Sequence, residues 1–158
     1  MQCHFFLLRD CHFRYIRRVL RKRKPVTRRD YEMLAAFRYS LRQFLRFSED
    51  AAHKAGLTPQ QHQALLAIKG FPGRDFVTIG ELAERLQLVH HSAVGLVDRL
   101  EKQKYIRRAT NQLDHRKVHV KLTAKGEKVL EKLSAEHREQ LRRLSPQIHP
   151  LLENLRGD

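Results

Sequence analysis

The chain has 158 residues, enough for one domain or one domain plus an extension, with a modest core. Its 32 Lys and Arg against 17 Asp and Glu give a formal net charge of +15, a balance that favours polyanions, nucleic acid before an acidic membrane surface or acidic protein. No window approaches the ~18 to 20 consecutive apolar residues of a membrane span, and two cysteines, Cys3 and Cys11, argue against a disulfide framework and suit a cytoplasmic protein.

The charge is unevenly spread. Residues 1–28 hold nine Lys or Arg and one Asp, a net +8, so the remaining residues carry +7. This basic N-terminal extension ends in "RKRKPVTRR", where Pro25 interrupts any helix. Three readings stay open for it: a disordered basic arm that touches phosphates, an amphipathic helix, or an upstream in-frame segment that the cell does not translate. Its "CH" pairs, Cys3–His4 and Cys11–His12, have no familiar zinc spacing, and no metal is expected.

From Asp30, Tyr31, Leu34, Phe37, Leu41, Phe44 and Leu45 recur on one stripe, predicting a long amphipathic helix that stops at Gly56. "TPQQHQALLAI" opens the next helix with Thr58 as N-cap, Pro59 at the first position and Gln61 closing a capping box. "GFPGRD" is a loop. "FVTIGELAERL" runs from a short strand into a third helix, with a second capping box in Thr78 and Glu81 and with Ile79, Leu82, Ala83 and Leu86 facing inward. After a break at "QLV", a fourth helix runs from His90 to Gln103, about 20 Å at ~1.5 Å per residue.

That fourth helix has two faces. Ala93, Leu96, Val97 and Leu100 form the inward stripe, and His91, Ser92, Val94, Gly95 and Asp98 lie opposite. The pattern then changes period. Ile106 precedes a polar stretch, and Val118, Val120 and Leu122 alternate with His119 and Lys121, predicting a β-hairpin around a basic tip, Asn111 to Arg116. Thr123 caps a long helix with Val129, Leu130, Leu133, Leu141 and Leu144 as apolar positions. Ser145–Pro146 is expected to restart a last helix bearing Ile148, Leu151, Leu152 and Leu155.

Residues 76–123 thus read as strand, helix, tight turn, helix, hairpin. Such a unit can push its second helix into a DNA major groove while the hairpin reaches a neighbouring minor groove. No Gly-rich phosphate loop, GxSxG or HExxH occurs, so neither an enzyme, a catalytic residue nor a cofactor is expected.

The order of "LVDRLE" (Leu96–Glu101), then Asp114 and Arg116 as D-x-R, then Leu122, Thr123 and Gly126 as LT-x-x-G resembles the winged helix–turn–helix core of the MarR family of bacterial transcriptional regulators. The resemblance covers about residues 30–158. It implies a mainly α fold with a small β-hairpin wing: residues 58–123 as the DNA-binding region, 29–57 and 124–158 as a helical dimerisation region. It further implies a homodimer, a repressor on a pseudo-palindromic operator in double-stranded DNA, and release by a small, often aromatic, effector.

Carried over residue by residue, the recognition helix presents His90, His91, Ser92, Val94 and Gly95, and the wing presents Asp114, Arg116 and Lys117. Arg99, Arg107 and Arg108 are candidate phosphate contacts, beside their reading as a solvated charged face. Tyr31, Leu34, Phe37, Leu41, Leu141, Leu144, Ile148, Leu151 and Leu152 are the expected dimerisation positions. His53 and His62 flank the junction where family effectors bind, but the ligand is unknown. Two departures stand out: Val89 takes the place of a Ser or Thr cap, and Gly95 that of a longer polar residue. A general nucleic-acid-binding architectural protein and a winged-helix protein-interaction module are the rival readings.

Overall fold

The computed structural model describes residues 25–110 and 118–156. Among them are five helices and three short strands. In chain order these are α1 (Arg28–Lys54), α2 (Pro59–Lys69), β1 (Phe76–Thr78), α3 (Ile79–Leu86), α4 (His90–Lys102), β2 (Ile106–Thr110), β3 (Val118–Leu122) and α5 (Ala124–Arg156). By contacts the chain divides into two units, Met1–Ala36 and Phe37–Asp158. In the first, Asp30 accepts from the backbone N–H of Thr27 at 2.7 Å and its own N–H reaches Thr27 Oγ1 at 3.3 Å, closing the start of α1. The Thr27 N–H bond, foremost, holds the Asp30 carboxyl below its ordinary range.

The second unit holds the core. Both expected capping boxes form: Gln61 N–H donates to Thr58 Oγ1 at 3.2 Å and Thr58 N–H to Gln61 Oε1 at 2.9 Å, while Thr78 and Glu81 repeat the exchange at 2.8 and 3.3 Å. Each box satisfies amides that a helix start otherwise leaves without partners. Gly56 ends the first helix in a left-handed conformation at φ +76°, as a stop there requires. The Glu81 carboxyl is held below the ordinary range, first by the Thr78 N–H and then by Arg74.

Behind these caps, Leu65, Ile68, Val77, Leu82, Leu96, Leu100, Ile106 and Val120 are almost wholly removed from water and share one cluster. Burying each such side chain contributes on the order of 1.5–3 kcal/mol, so this cluster is what fixes α3, α4 and the sheet to one another. The sheet order is β1-β3-β2, all antiparallel, with Val77 opposite Val120 and Ile106 opposite Leu122. Gly126, in the first turn of α5, lies where a Cβ would stand 2.1 Å from the Tyr105 carbonyl oxygen. The LT-x-x-G pattern is thus a packing requirement: the same carbonyl accepts from the Thr123 N–H at 3.0 Å, and only glycine allows the helix to begin that close to the strand.

One expectation is corrected. Ser145–Pro146 does not restart a helix, because α5 is continuous over 33 residues with Pro146 and Pro150 inside it. Proline removes a backbone donor but its φ near −65° is helical. Arg142, Pro146 and their neighbours on that side are exposed, so the carbonyls left without a donor face water. No helix among the described residues is long and apolar enough to cross a membrane.

Candidate nucleic-acid interface

The helix opened by His90 is anchored from behind. Ala93, Leu96, Val97 and Leu100 are at most 1% exposed, while His90, His91, Ser92, Asp98 and Arg99 are exposed and Val94 and Gly95 half-buried. The short α3 leads into it through Gln87, whose left-handed φ of 53° makes the tight turn. Val89 occupies the N-cap, is 71% exposed, and supplies no side-chain cap. The first-turn amides of His90 and His91 therefore gain no acceptor from a cap side chain. A helix start of this kind, with its partial positive charge, suits an anionic oxygen. Gly95 also has a neighbour of its own. Arg99 Nη1 lies 3.6 Å from where a Cβ at 95 would stand, so the guanidinium folds back over the glycine.

Beside this helix, β2 and β3 pair from Ile106–Leu122 to Thr110–Val118 and lead to the hairpin tip. The tip residues Asp114, Arg116 and Lys117 lie outside the described residues. At the base, the candidate cations divide. Arg107 is exposed, and among the described residues no carboxylate pairs with it. Arg108 is engaged within the chain. Its backbone N–H donates to Glu101 Oε1 at 3.0 Å, its guanidinium bonds the other oxygen of Glu101, and a second guanidinium nitrogen reaches Asp98 at 2.5 Å. Sequence reasoning missed this arrangement. The available signal was an acidic pair at i and i+3, Asp98 and Glu101, on the flank where the chain folds back.

A second cluster stiffens the outer face of β1. Arg74 lies over both Phe71 and Phe76, Arg85 over Phe71 and Lys121 over Phe76, at 4.3 to 5.1 Å from the ring centroids. His119, a strand residue with no apolar partner evident in the sequence, stacks on Phe76 at 4.1 Å.

The positions expected to take part in dimerisation fall into three kinds. Tyr31 and Leu34 in the first unit are 64% and 49% exposed; Leu41, Leu141 and Leu152 in the second are 43–48% exposed. Phe37, Ile148 and Leu151 are half-buried, and Leu144 is buried within the chain itself. Of the two candidate ligand histidines, His53 is exposed. His62 is buried at 3% exposure with its Nδ1 unpartnered, 4.6 Å from the ring of His137. Burial, helped by His137, pushes the His62 pKa down from the ordinary 6.5 to about 4. His137 is fully engaged: its Nδ1–H donates to the Leu133 carbonyl at 2.7 Å and the Ser48 hydroxyl lies 2.9 Å from Nε2. Both line a groove of about 510 Å³ together with Phe44, Leu66, Arg138 and Leu141. Among the described residues no cluster of His, Cys, Asp or Glu fits a metal ion.

Comparison with known proteins agrees with this geometry. Residues 55–117 match the model of the MarR family. The uncharacterised HTH-type transcriptional regulator YsmB of Bacillus subtilis is 30% identical over 66 residues, which is 42% of this chain and 45% of YsmB, so the match spans under half of that relative. A MarR family protein from Bacillus stearothermophilus superposes with a TM-score of 0.68 at 23% identity, covering 82% of this chain and 92% of the other. A mutant of Staphylococcus aureus MepR, bound to an oligodeoxyribonucleotide, gives 0.60 at 23% identity over 80% and 94% of the two chains. These likenesses carry the fold: the chain has a winged helix–turn–helix architecture like that of the MarR family protein, and within it residues 55–117 are similar in sequence to the MarR family.

Proposed function

We propose that the chain is a sequence-specific, DNA-binding transcriptional regulator, a homodimeric repressor acting in the cytoplasm on a pseudo-palindromic operator. The observation that carries this is the exposed, capless start of α4 on a helix whose back is locked into the core. His90, His91, Ser92, Val94 and Gly95 are the residues it offers to a major groove, and Arg107 lies exposed at the base of the hairpin for a backbone phosphate. Asp114, Arg116 and Lys117 belong to the same reading as the wing tip, where a guanidinium suits the negative potential of a minor groove. Phosphate contacts supply most of the affinity and base contacts the choice of sequence.

The homodimer rests on the apolar side chains left in water at Tyr31, Leu34, Leu41, Leu45, Leu141 and Leu152, which a second copy would cover. Two such chains would set their recognition helices about one DNA turn apart, roughly 34 Å. The groove beside His62 supports release by a small effector. Its floor is apolar and its edge carries Arg138 and Arg142, a setting for an aromatic acid. An effector that binds the DNA-incompetent lobe spacing more tightly would shift the dimer off its operator.

The test is a titration at ~0.15 M salt, a moderate screening condition, of the duplex upstream of the chain's own gene against a scrambled duplex, reading affinity and stoichiometry. A preference of about a thousandfold with two chains per duplex is expected. Equal, steeply salt-dependent binding to both would favour the architectural reading, and no binding to either the protein-interaction reading.

A further inference from the structure

Arg108 sits at the root of the hairpin with the chemistry of a nucleic-acid contact, yet its side chain is 28% exposed and bridges two acids of the recognition helix. Asp98 and Glu101 are three residues apart on α4 and so share a face. A guanidinium offers a planar fork of donors and can hold two carboxylates at once, which a lysine ammonium, a point charge, does not do with the same fixed geometry. The Glu101 carboxylate is used twice, once by the Arg108 side chain and once by its backbone N–H, so strand and helix are joined at both main chain and side chain.

We propose that Arg108 is a positioning residue for DNA binding: with Asp98 and Glu101 it forms a pin that sets the angle of the wing on the recognition helix. The proposal rests on the DNA-binding reading and deepens it. In the sheet order β1-β3-β2 the β3 side of the hairpin is held at its base by β1, and β2 is the outer edge. The buried contacts there, Ile106 and Val120, fix its inner face, and the pin fixes the neighbouring edge to the helix whose approach to a groove the wing must match. The arginine's charge is spent inside the protein, and its contribution to affinity is geometric.

The pin makes an unusual forecast. Glu101→Gln keeps the shape and can still accept the Arg108 N–H, but it removes a negative charge from a face turned toward a polyanion. If Arg108 were a phosphate contact held back by its acids, that change would free it and tighten binding. As a pin partner, its loss weakens binding by roughly tenfold, the scale of coupling in a side-chain network. Arg108→Lys, which retains the charge but not the fork, weakens binding to a similar degree.

The experiment uses the full chain and a duplex that the wild-type protein enriches from a random-sequence pool, with affinity measured from about 50 to 200 mM salt. Active fraction is determined in parallel by stoichiometric titration. Expected are a raised Kd for Arg108→Lys, Glu101→Gln and their combination, with the combination no worse than either alone, an unchanged active fraction and an unchanged salt slope. A merely structural role would lower the active fraction at constant Kd and overturns the proposal. So does tighter binding by Glu101→Gln, rescue by lysine, or a slope reduced by about 0.9, the loss of one phosphate contact. Failure of the wild-type chain to enrich any duplex refutes the DNA-binding reading itself, and the pin's role with it.

Discussion

Gly95→Ala separates the interests of the helix from those of the site. A glycine inside a helix costs ~1 kcal/mol relative to alanine. Outside its own helical backbone, the new Cβ would meet Arg99 Nη1 at 3.6 Å, an ordinary van der Waals distance to the mobile end of a long side chain. Nothing in the free protein therefore opposes the methyl group, and the variant should be more stable by about 0.5–1 kcal/mol, a rise of roughly 1–4 °C in Tm for a chain of this size. If α4 lies against base edges at Gly95, the same methyl occupies that contact, and affinity for the enriched duplex should fall at least about tenfold, the cost of ~1.4 kcal/mol. Thermal unfolding by circular dichroism and the duplex titration read the two effects separately. Stabilisation with unchanged affinity would remove Gly95 from the interface, and a lower Tm would refute the packing argument.

Gly126→Ala should behave in the opposite way. Its Cβ would stand 2.1 Å from a backbone oxygen, which can move only if β2 and α5 part, so a loss of ~3 kcal/mol or more is expected, and a chemical denaturation midpoint near wild type would contradict it. His62 sets a pH dependence. Its folded pKa of about 4 lies below the unfolded 6.5, so the unfolded chain binds the proton more tightly. The stability kept by its burial is complete above pH 6.5 and declines as pH falls from 6.5 to 4, by about 3 kcal/mol in total. His137, Arg138 and Arg142 line the same groove, and His137 already weighs against a charge on His62. His62→Phe should therefore flatten the stability profile across that window relative to wild type, and parallel profiles would show that His62 is not the titrating group.

Much of the fold was legible because its signals are local. The two capping boxes, the left-handed stop at Gly56 and the capless Val89 are each decided within four residues, and each appears where the spacing placed it. The two-faced pattern of α4 was equally readable, since alternation of burial at helical period is written in the residues themselves. Three features were not. Whether Pro146 ends a helix depends on whether its freed carbonyl faces water, which is a property of the packed molecule. The burial of His62 depends on α5 laying His137 against it, from a position far along the chain. Arg108 reads as a free cation until the hairpin folds back onto Asp98 and Glu101. The wing tip is a separate matter, because Asp114, Arg116 and Lys117 lie outside the described residues.

The central claim is that the start of α4 reads DNA sequence, and the most direct measurement compares His91→Ala with Arg107→Ala on the enriched and the scrambled duplex. The claim predicts that His91→Ala weakens binding to the enriched duplex more than to the scrambled one, whereas Arg107→Ala weakens both alike and lowers the salt slope. Equal losses on both duplexes for His91→Ala would contradict it.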